Sequence, residues 1–363
     1  MPTKERWHRL DAIPRFLLGT FPTPVRRLRG VEKLLGLHCL YLKNDGVCAV
    51  PAGGNKVRKL EYLLARARAD GAQSVLTFGA AGSNHAATTA LFAQQYGMKT
   101  IAVLADQPNS RGVARNLLLS AGVGARLVHC PDYRRMADVA AGEIAAWRAA
   151  TGSEPFVIPP GGSSPLGTVG YVAAGFELAA QIAAGELEPP SRIYLPLGTC
   201  GTAVGLLLGL RAAGVAAHVV GVRVVPAAMA NRERVGSLAA QVIALLHDYD
   251  PDNAECTLTP ETFSIAGGQY GRGYGWFTRR GRDAMRMMYE QEGVRLEGTY
   301  TGKAFAALVD DACRGALRNE RVLFVNTCNQ HPVSRCVPLV DYRTLPPGFH
   351  RYFTEPVQAL DSC

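Results

Sequence analysis

No C-x-x-C pair occurs among the nine cysteines, which are spread from Cys39 to Cys363, so neither a metal site nor a disulfide framework is indicated. Reduced thiols are the simple expectation. No apolar run approaches the roughly 18 residues that a membrane span needs. Met1 to Leu10 are polar and charged, with no apolar signal region. A soluble, cytoplasmic protein with no membrane partner is expected. The formal charge is +9, yet the basic residues are scattered, as in Arg26-Arg27, Arg134-Arg135 and Arg279-Arg280, and form no long stripe. That distribution disfavours a nucleic-acid partner and suits a basic surface that attracts anionic small molecules. Internal repeats and low-complexity segments are also missing.

What is present is 363 residues, 48% hydrophobic and 19% charged, enough for two domains with a core each. Phe21-Pro22-Thr23-Pro24-Val25 reads as an extended entry segment. A strand over Cys39 to Lys43 leads into the polar turn Asn44-Asp45-Gly46. From Ser74 onward strands and helices alternate: strand Ser74 to Phe78, helix His85 to Tyr96, strand Thr100 to Leu104, helix Val113 to Ala121. Strand Arg126 to Cys130, helix Met136 to Ala149 and strand Phe156 to Ile158 continue the pattern. Pro159 to Ser164 reads as a hinge. A second alternation follows: helix Gly170 to Ala183, strand Ile193 to Leu197, helix Ala203 to Ala212 and strand His218 to Val225. Helices near Ser237 to Leu246, Thr278 to Gln291 and Lys303 to Arg314, with a strand at Val322 to Asn326, complete it. The α/β alternation predicts two doubly wound, mainly parallel sheets whose strand ends face a common edge. The tail after Pro338 has no clear periodicity and reads as an arm on the surface or at a subunit contact.

Four places could carry chemistry. Gly53-Gly54-Asn55-Lys56 feeds a lysine into the first turn of a helix, with Asn55 as its expected cap and Val57, Leu60, Leu64 and Ala67 along one face. The positive end of the helix dipole disfavours the protonated amine. Lys56 is therefore either a reactive nucleophile or a solvated lysine opening a surface helix. Gly198-Thr199-Cys200-Gly201-Thr202 offers consecutive N–H groups at a helix start, which suits a phosphate, although a plain strand-to-helix turn has the same composition. It matches neither G-x-G-x-x-G nor a Walker loop. Gly82-Ser83-Asn84-His85 is a helix cap or a ligand-facing loop, with His85 a general acid or base or a structural residue. Tyr274 and Tyr300 are core tyrosines or site residues, and their flanking glycines favour the second reading. A reactive lysine, a phosphate loop and a doubly wound sheet together suggest pyridoxal 5'-phosphate.

Gly53-Gly54-Asn55-Lys56-Val57-Arg58-Lys59-Leu60-Glu61-Tyr62-Leu63 resembles the signature of the 1-aminocyclopropane-1-carboxylate deaminase and D-cysteine desulfhydrase family, from about Thr23 to Thr327. These are pyridoxal-phosphate enzymes of the tryptophan synthase β-subunit-like fold, fold type II. The resemblance implies a large cofactor-binding domain over residues 1–55 and 165–363 and a small domain over 56–164. It implies that Lys56 holds the cofactor as a Schiff base, Asn84 bonds the ring hydroxyl, and Gly198, Thr199, Cys200, Gly201 and Thr202 hold the phosphate. Thr327 would lie near the pyridine nitrogen. Ser83, His85, Ser163, Tyr274 and Tyr300 would face a small amino-acid substrate, with Ser83, Tyr274 and Tyr300 also catalytic, and Ser164, Leu166 and Gly167 would complete the Ser163 loop. Family members are commonly homodimers.

Thr301 and His85 follow the desulfhydrase branch. Trp276-Phe277, Glu297-Gly298-Thr299 and Asn326-Thr327-Cys328-Asn329 depart from the family pattern, and a pocket altered in all three places is expected. The implied reaction is β-elimination from a D-cysteine-like amino acid to a 2-oxo acid and ammonia. Cyclopropane opening, a cysteate-type sulfo-lyase and a non-catalytic pyridoxal-phosphate or anion binder are the alternatives.

Overall fold

The computed structural model describes residues 10–249, 259, 261–332 and 340–361. In chain order the elements are β1 (Val25–Arg27), α1 (Arg29–Leu35), β2 (Cys39–Asn44), α2 (Asn55–Ala69), β3 (Ser74–Ala80), α3 (Asn84–Gln95), β4 (Lys99–Ala105), α4 (Arg111–Gly122) and β5 (Arg126–Cys130). They continue with α5 (Met136–Thr151), β6 (Phe156–Ile158), α6 (Pro165–Ala183), β7 (Arg192–Leu197), α7 (Gly201–Ala212), β8 (His218–Arg223), α8 (Arg232–His247), β9 (Phe263–Ala266), α9 (Arg279–Glu292), α10 (Thr301–Cys313), β10 (Arg321–Asn326) and α11 (Arg351–Thr354).

Two sheets result. The larger has the order β1-β2-β10-β7-β8-β9, all parallel except the β1–β2 pair; the smaller, β5-β4-β3-β6, is wholly parallel. Parallel strands with crossover helices deliver their following loops to one edge. Lys56 opens α2, the Ser83 loop follows β3, and the Gly198 loop follows β7.

The expected strands and helices form, with four additions. β1, α1, β9 and α11 were not anticipated, because each has seven residues or fewer and none carries a clear period. α6 starts earlier than its apolar pattern, at Pro165, because Ser164 caps it by accepting from the Gly167 N–H at 3.1 Å. α6 also corrects the reading of apolar runs: its 19 residues are long and apolar enough to cross a membrane by length and composition. With 78% of that stretch buried inside the fold, it is a core helix, packed beside α7.

α2 lies at the seam between the sheets. Val57, Leu60, Leu64 and Ala67 are each 0% exposed, as their spacing predicted, and pack with Leu91, Phe92 and Ile158 of the smaller unit. On the other side, Arg58 donates to both carboxylate oxygens of Asp45 at 2.9 Å and to both of Glu177 at 2.9 Å. Lys43 completes the cluster on Glu177, the Thr23 carbonyl and Gln181. Two cations thus meet two carboxylates out of water, a balance that buried ions require. Burial alone would raise the Asp45 carboxyl, but Arg58 and Lys43 hold it below its ordinary range.

Residues 340–361 do not lie with the larger sheet. Leu345, Phe349 and Tyr352 are buried against Leu104, Val113 and Leu117, so the aperiodic tail is an arm across the smaller unit.

Candidate active site

Lys56 opens into a cavity of about 330 Å³ that takes residues from both sheets. Two glycines make this position possible. A Cβ on Gly53 would meet the Gly46 carbonyl oxygen at 2.2 Å, and Gly54, at φ 105°, lies against the Thr327 carbonyl oxygen. Gly54 occupies the helix cap position and offers no side chain. Asn55, expected as the cap, is instead the first helical residue and donates from Nδ2 to Thr202 Oγ1 at 2.9 Å. That bond ties the lysine helix to the Gly198–Thr202 loop. Burial lowers the Lys56 amine from 10.5 to about 8. The shift expected at a helix N-terminus thus has burial as its cause.

The remaining polar residues of the α2 signature hold the helix. Lys59 is 1% exposed and donates to the Gly161 carbonyl at 3.1 Å and to Ser163 Oγ at 2.8 Å. Ser163 Oγ is 2.7 Å from Thr199 Oγ1. Glu61 accepts from the N–H groups of Leu18 at 3.0 Å and Gly19 at 3.1 Å. Ser163 does not line the cavity, contrary to its implied substrate contact; it stands behind Thr199 and relays Lys59 to that loop.

Gly198, Thr199, Cys200 and Thr202 line the cavity. Gly201 does not, and a Cβ there would approach Lys59 Nζ to 2.7 Å. Cys200 adopts φ 66°, the left-handed conformation, at the N-cap of α7, so the loop turns sharply into the helix. The first N–H groups of α7 lack intrahelical partners, as in any helix. Behind them the Lys59 ammonium meets two neutral acceptors and no carboxylate among the described residues. Burial and then Lys56 push Lys59 well below the ordinary lysine value. A buried amine without a carboxylate partner among the described residues, beside a helix N-terminus, fits a phosphate dianion, which would draw a proton onto it.

On the opposite wall, Ser83 and Asn84 follow β3. Ser83 caps α3 by accepting from the Ala86 N–H at 3.1 Å and also lines the cavity, so the cap and the site loop are one feature. Asn84 Oδ1 accepts from Asn116 Nδ2 at 2.8 Å, which leaves the Asn84 amide N–H groups to donate to a ligand. Asn116, on α4, was not foreseen: its sequence signal is only a polar residue at a helical spacing. His85 is 3% exposed, with Nε2 3.0 Å from Thr77 Oγ1. Burial and then Lys56 and Lys59 lower its pKa well below the ordinary value, so it is neutral at pH 7.

Tyr274 and Tyr300 meet hydroxyl to hydroxyl at 2.6 Å, with rings 6.0 Å apart at 75°. Burial raises both phenols, Tyr274 further through Tyr300. Each is a neutral proton donor at pH 7. Glu297 accepts from the N–H groups of Thr299, Tyr300 and Thr301 at 2.9, 2.7 and 2.9 Å and so anchors the turn into α10.

Thr327, Cys328 and Asn329 form another part of the wall. Asn329 turns its side chain away: Oδ1 accepts from Gly53 N–H at 2.8 Å and Nδ2 donates to the His331 carbonyl at 2.9 Å. Burial raises the Cys328 thiol to about 12, an unreactive value. Trp276 and Phe277, expected to alter the pocket, lie outside its lining. Arg272 stacks over Trp276, and Phe277 packs against Gly298. Arg115 and Tyr133 complete the wall and were not anticipated.

The family description "Pyridoxal-phosphate dependent enzyme" matches residues 16–327. A Pyrococcus horikoshii protein named "Putative 1-aminocyclopropane-1-carboxylate deaminase" is 35% identical over 320 residues, covering 88% of this chain and 92% of the relative. The D-cysteine desulfhydrase of Salmonella choleraesuis is 32% identical over 337 residues, covering 88% and 95%. The crystal structure of an ACC deaminase homologue superposes with a TM-score of 0.77 at 31% identity, covering 90% of this chain and 95% of that one. Threonine deaminase isoform 2 of Solanum lycopersicum, at 14% identity and a TM-score of 0.62, shares the fold. With a lysine, a phosphate cradle and these relatives in agreement, the chain belongs to the pyridoxal-phosphate dependent enzymes, as a lyase or deaminase of the 1-aminocyclopropane-1-carboxylate deaminase and D-cysteine desulfhydrase type.

Proposed function

We propose that this enzyme removes the β-substituent of a small α-amino acid, D-cysteine first, and releases a 2-oxo acid and ammonia. The observation that carries the reading is that the Lys56 amine and the Tyr274–Tyr300 hydroxyl pair line one cavity. Pyridoxal phosphate, when bound, supplies the aldehyde that Lys56 captures and the ring that draws electrons from the α-carbon. Thr199, Cys200 and Thr202, with Lys59 behind them, would hold its phosphate, and Asn84, oriented by Asn116, would donate to the ring oxygen. Thr327 would offer the ring nitrogen a neutral partner.

This chain's residues then divide the proton traffic. Lys56, with its amine near 8, takes the α-proton. The Tyr274–Tyr300 pair donates a proton to the departing sulfur, and Ser83 holds the substrate carboxylate. His85, neutral and bonded to Thr77, shapes the wall beneath Lys56. The proposed domain arrangement puts Lys56, Ser83 and Asn84 in a small unit over residues 56–164 and the phosphate loop and the tyrosine pair in the rest of the chain, with residues 340–361 crossing back onto the small unit. A homodimer in the cytoplasm remains part of the proposal.

Arg115 favours a second substrate. It lines the cavity, its Nε donates to the neutral Asn116 Oδ1 at 3.2 Å, and no carboxylate pairs with it among the described residues. An anionic β-substituent, as in cysteate, would meet that guanidinium. The test is 2-oxo acid release from D- and L-cysteine, 1-aminocyclopropane-1-carboxylate and cysteate by the holoenzyme and by Lys56→Ala. D-cysteine turnover that disappears in Lys56→Ala supports the reading; turnover of cysteate alone shifts it to the sulfonate. Undiminished turnover by Lys56→Ala would overturn it.

A further inference from the structure

The arm formed by residues 340–361 lies beyond the family match, and it bonds to segments that adjoin two walls of the cavity, at Ser83 and at Tyr274. Tyr352, 3% exposed, accepts from the Gln107 N–H at 2.9 Å and lies 3.1 Å from Asp106 Oδ1. Gln107 Oε1 in turn accepts from the Gly82 N–H at 3.0 Å, one residue before Ser83. Farther along, Gln358 bridges the sides. Its backbone N–H donates to the Asn109 carbonyl at 3.1 Å, on the loop that follows β4. Its side-chain Oε1 accepts from Phe277 N–H at 2.7 Å, and its Nε2 donates to the Gly275 carbonyl at 3.0 Å. Both ends of one amide are therefore used on the segment that directly follows Tyr274, and Nε2 also donates to the Asn109 carbonyl at 3.3 Å. Gly275, at φ 77°, rests directly against Pro108 and Gln107, so the Tyr274 turn and the loop after β4 are packed face to face under the arm.

We propose that the C-terminal arm is a strap that holds the Tyr274 turn against the Ser83 side of the cavity, with Gln358 as its positioning residue. Gln358 touches neither cofactor nor substrate; it acts through the backbone of Gly275 and Phe277, immediately after Tyr274. Two hydrogen bonds at fixed separation resist rotation of the turn as well as its withdrawal. The hydroxyl pair that Tyr274 makes with Tyr300 depends on that orientation. The proposal rests on the role given to Tyr274 above.

The test uses the full-length holoenzyme and Gln358→Met, which keeps the length of the side chain and removes both hydrogen-bonding ends. Hydrogen exchange is followed at residues 273–277, and kcat and KM are measured for D-cysteine with Gln358→Met, Tyr274→Phe and the double variant. Displacing a catalytic group by about 1 Å can cost on the order of a hundredfold in rate, so a drop in kcat of about tenfold or more is expected for Gln358→Met, with a smaller change in KM. The 273–277 amides should exchange faster while the Tm stays close to that of the parent. In the Tyr274→Phe background the same substitution should cost nothing more, because a positioning residue has no further effect once its client group is lost. Unchanged exchange at 273–277, or losses that simply add in the double variant, would overturn the strap. If the parent enzyme does not turn over D-cysteine, the proposed substrate fails and the exchange measurement decides the strap by itself.

Discussion

Lys56 should capture pyridoxal phosphate faster than an ordinary lysine at neutral pH, and by a calculable factor. Only the neutral amine attacks an aldehyde. Lowering its pKa from 10.5 to about 8 raises the neutral fraction at pH 7 from about 0.03% to about 9%, on the order of a few hundredfold, or about 3 kcal/mol. The sign follows from the cause: burial penalises the charged form, so the amine gives up its proton at lower pH. The assay mixes cofactor-free protein with pyridoxal phosphate and follows absorbance from pH 6 to 10, with Nα-acetyl-lysine amide as the reference. Dividing the two rates removes the titration of the cofactor itself. The ratio should be greatest below pH 8 and fall as the pH rises from there, because the reference continues to gain neutral amine after Lys56 is saturated. A ratio independent of pH would show that Lys56 titrates as a solvated lysine, and burial would lose its place as the cause of reactivity.

Two further perturbations probe the scaffold. Arg58→Met removes the guanidinium shared by Asp45 and Glu177 and should cost about 3–5 kcal/mol in denaturant unfolding. Because Arg58 holds the Asp45 carboxyl below its ordinary value, the parent keeps that contribution above the ordinary carboxylate range and loses it only as the pH falls through the lowered value. Acid unfolding of the variant should therefore begin at higher pH, and an unchanged midpoint would contradict the cluster's role. Asn116→Ala releases Asn84 Oδ1 and should raise the Kd for pyridoxal phosphate by about three- to tenfold while Lys56 still reacts; an unchanged Kd in equilibrium titration would refute the orientation argument.

Elements set within the strand–helix alternation were legible in the sequence, short ones included. β5 and β6 begin and end at the residues their apolar runs indicated, because a helical pattern borders each, and the apolar face of α2 is the buried one. Glycines marked the site because close backbone approach leaves a compositional trace: Gly53 and Gly54 before Lys56, and Gly273 and Gly275 around Tyr274. Lys59, Asn116 and Arg115 left no such trace. Each occupies an ordinary helical position, and its significance arises only where a second element crosses it. The same limit applies to Asn55, whose sequence suits a helix cap and whose side chain reaches Thr202. The departures at Trp276-Phe277 were legible as differences, but their placement outside the cavity was not, because a local motif does not specify which way its side chains turn.

The α2 signature also separates two kinds of information. Lys56 faces the cavity, while Arg58, Lys59 and Glu61 secure the helix to the Asp45–Glu177 cluster, the Gly161–Ser163 turn and the Leu18–Gly19 segment. Most of the motif is therefore joinery. It specifies that an amine is delivered to this spot and carries no vocabulary for the molecule the amine will process. A chain can keep every letter of it and change its diet through Arg115, Tyr133 or Cys328, positions that a search keyed to the motif would never inspect.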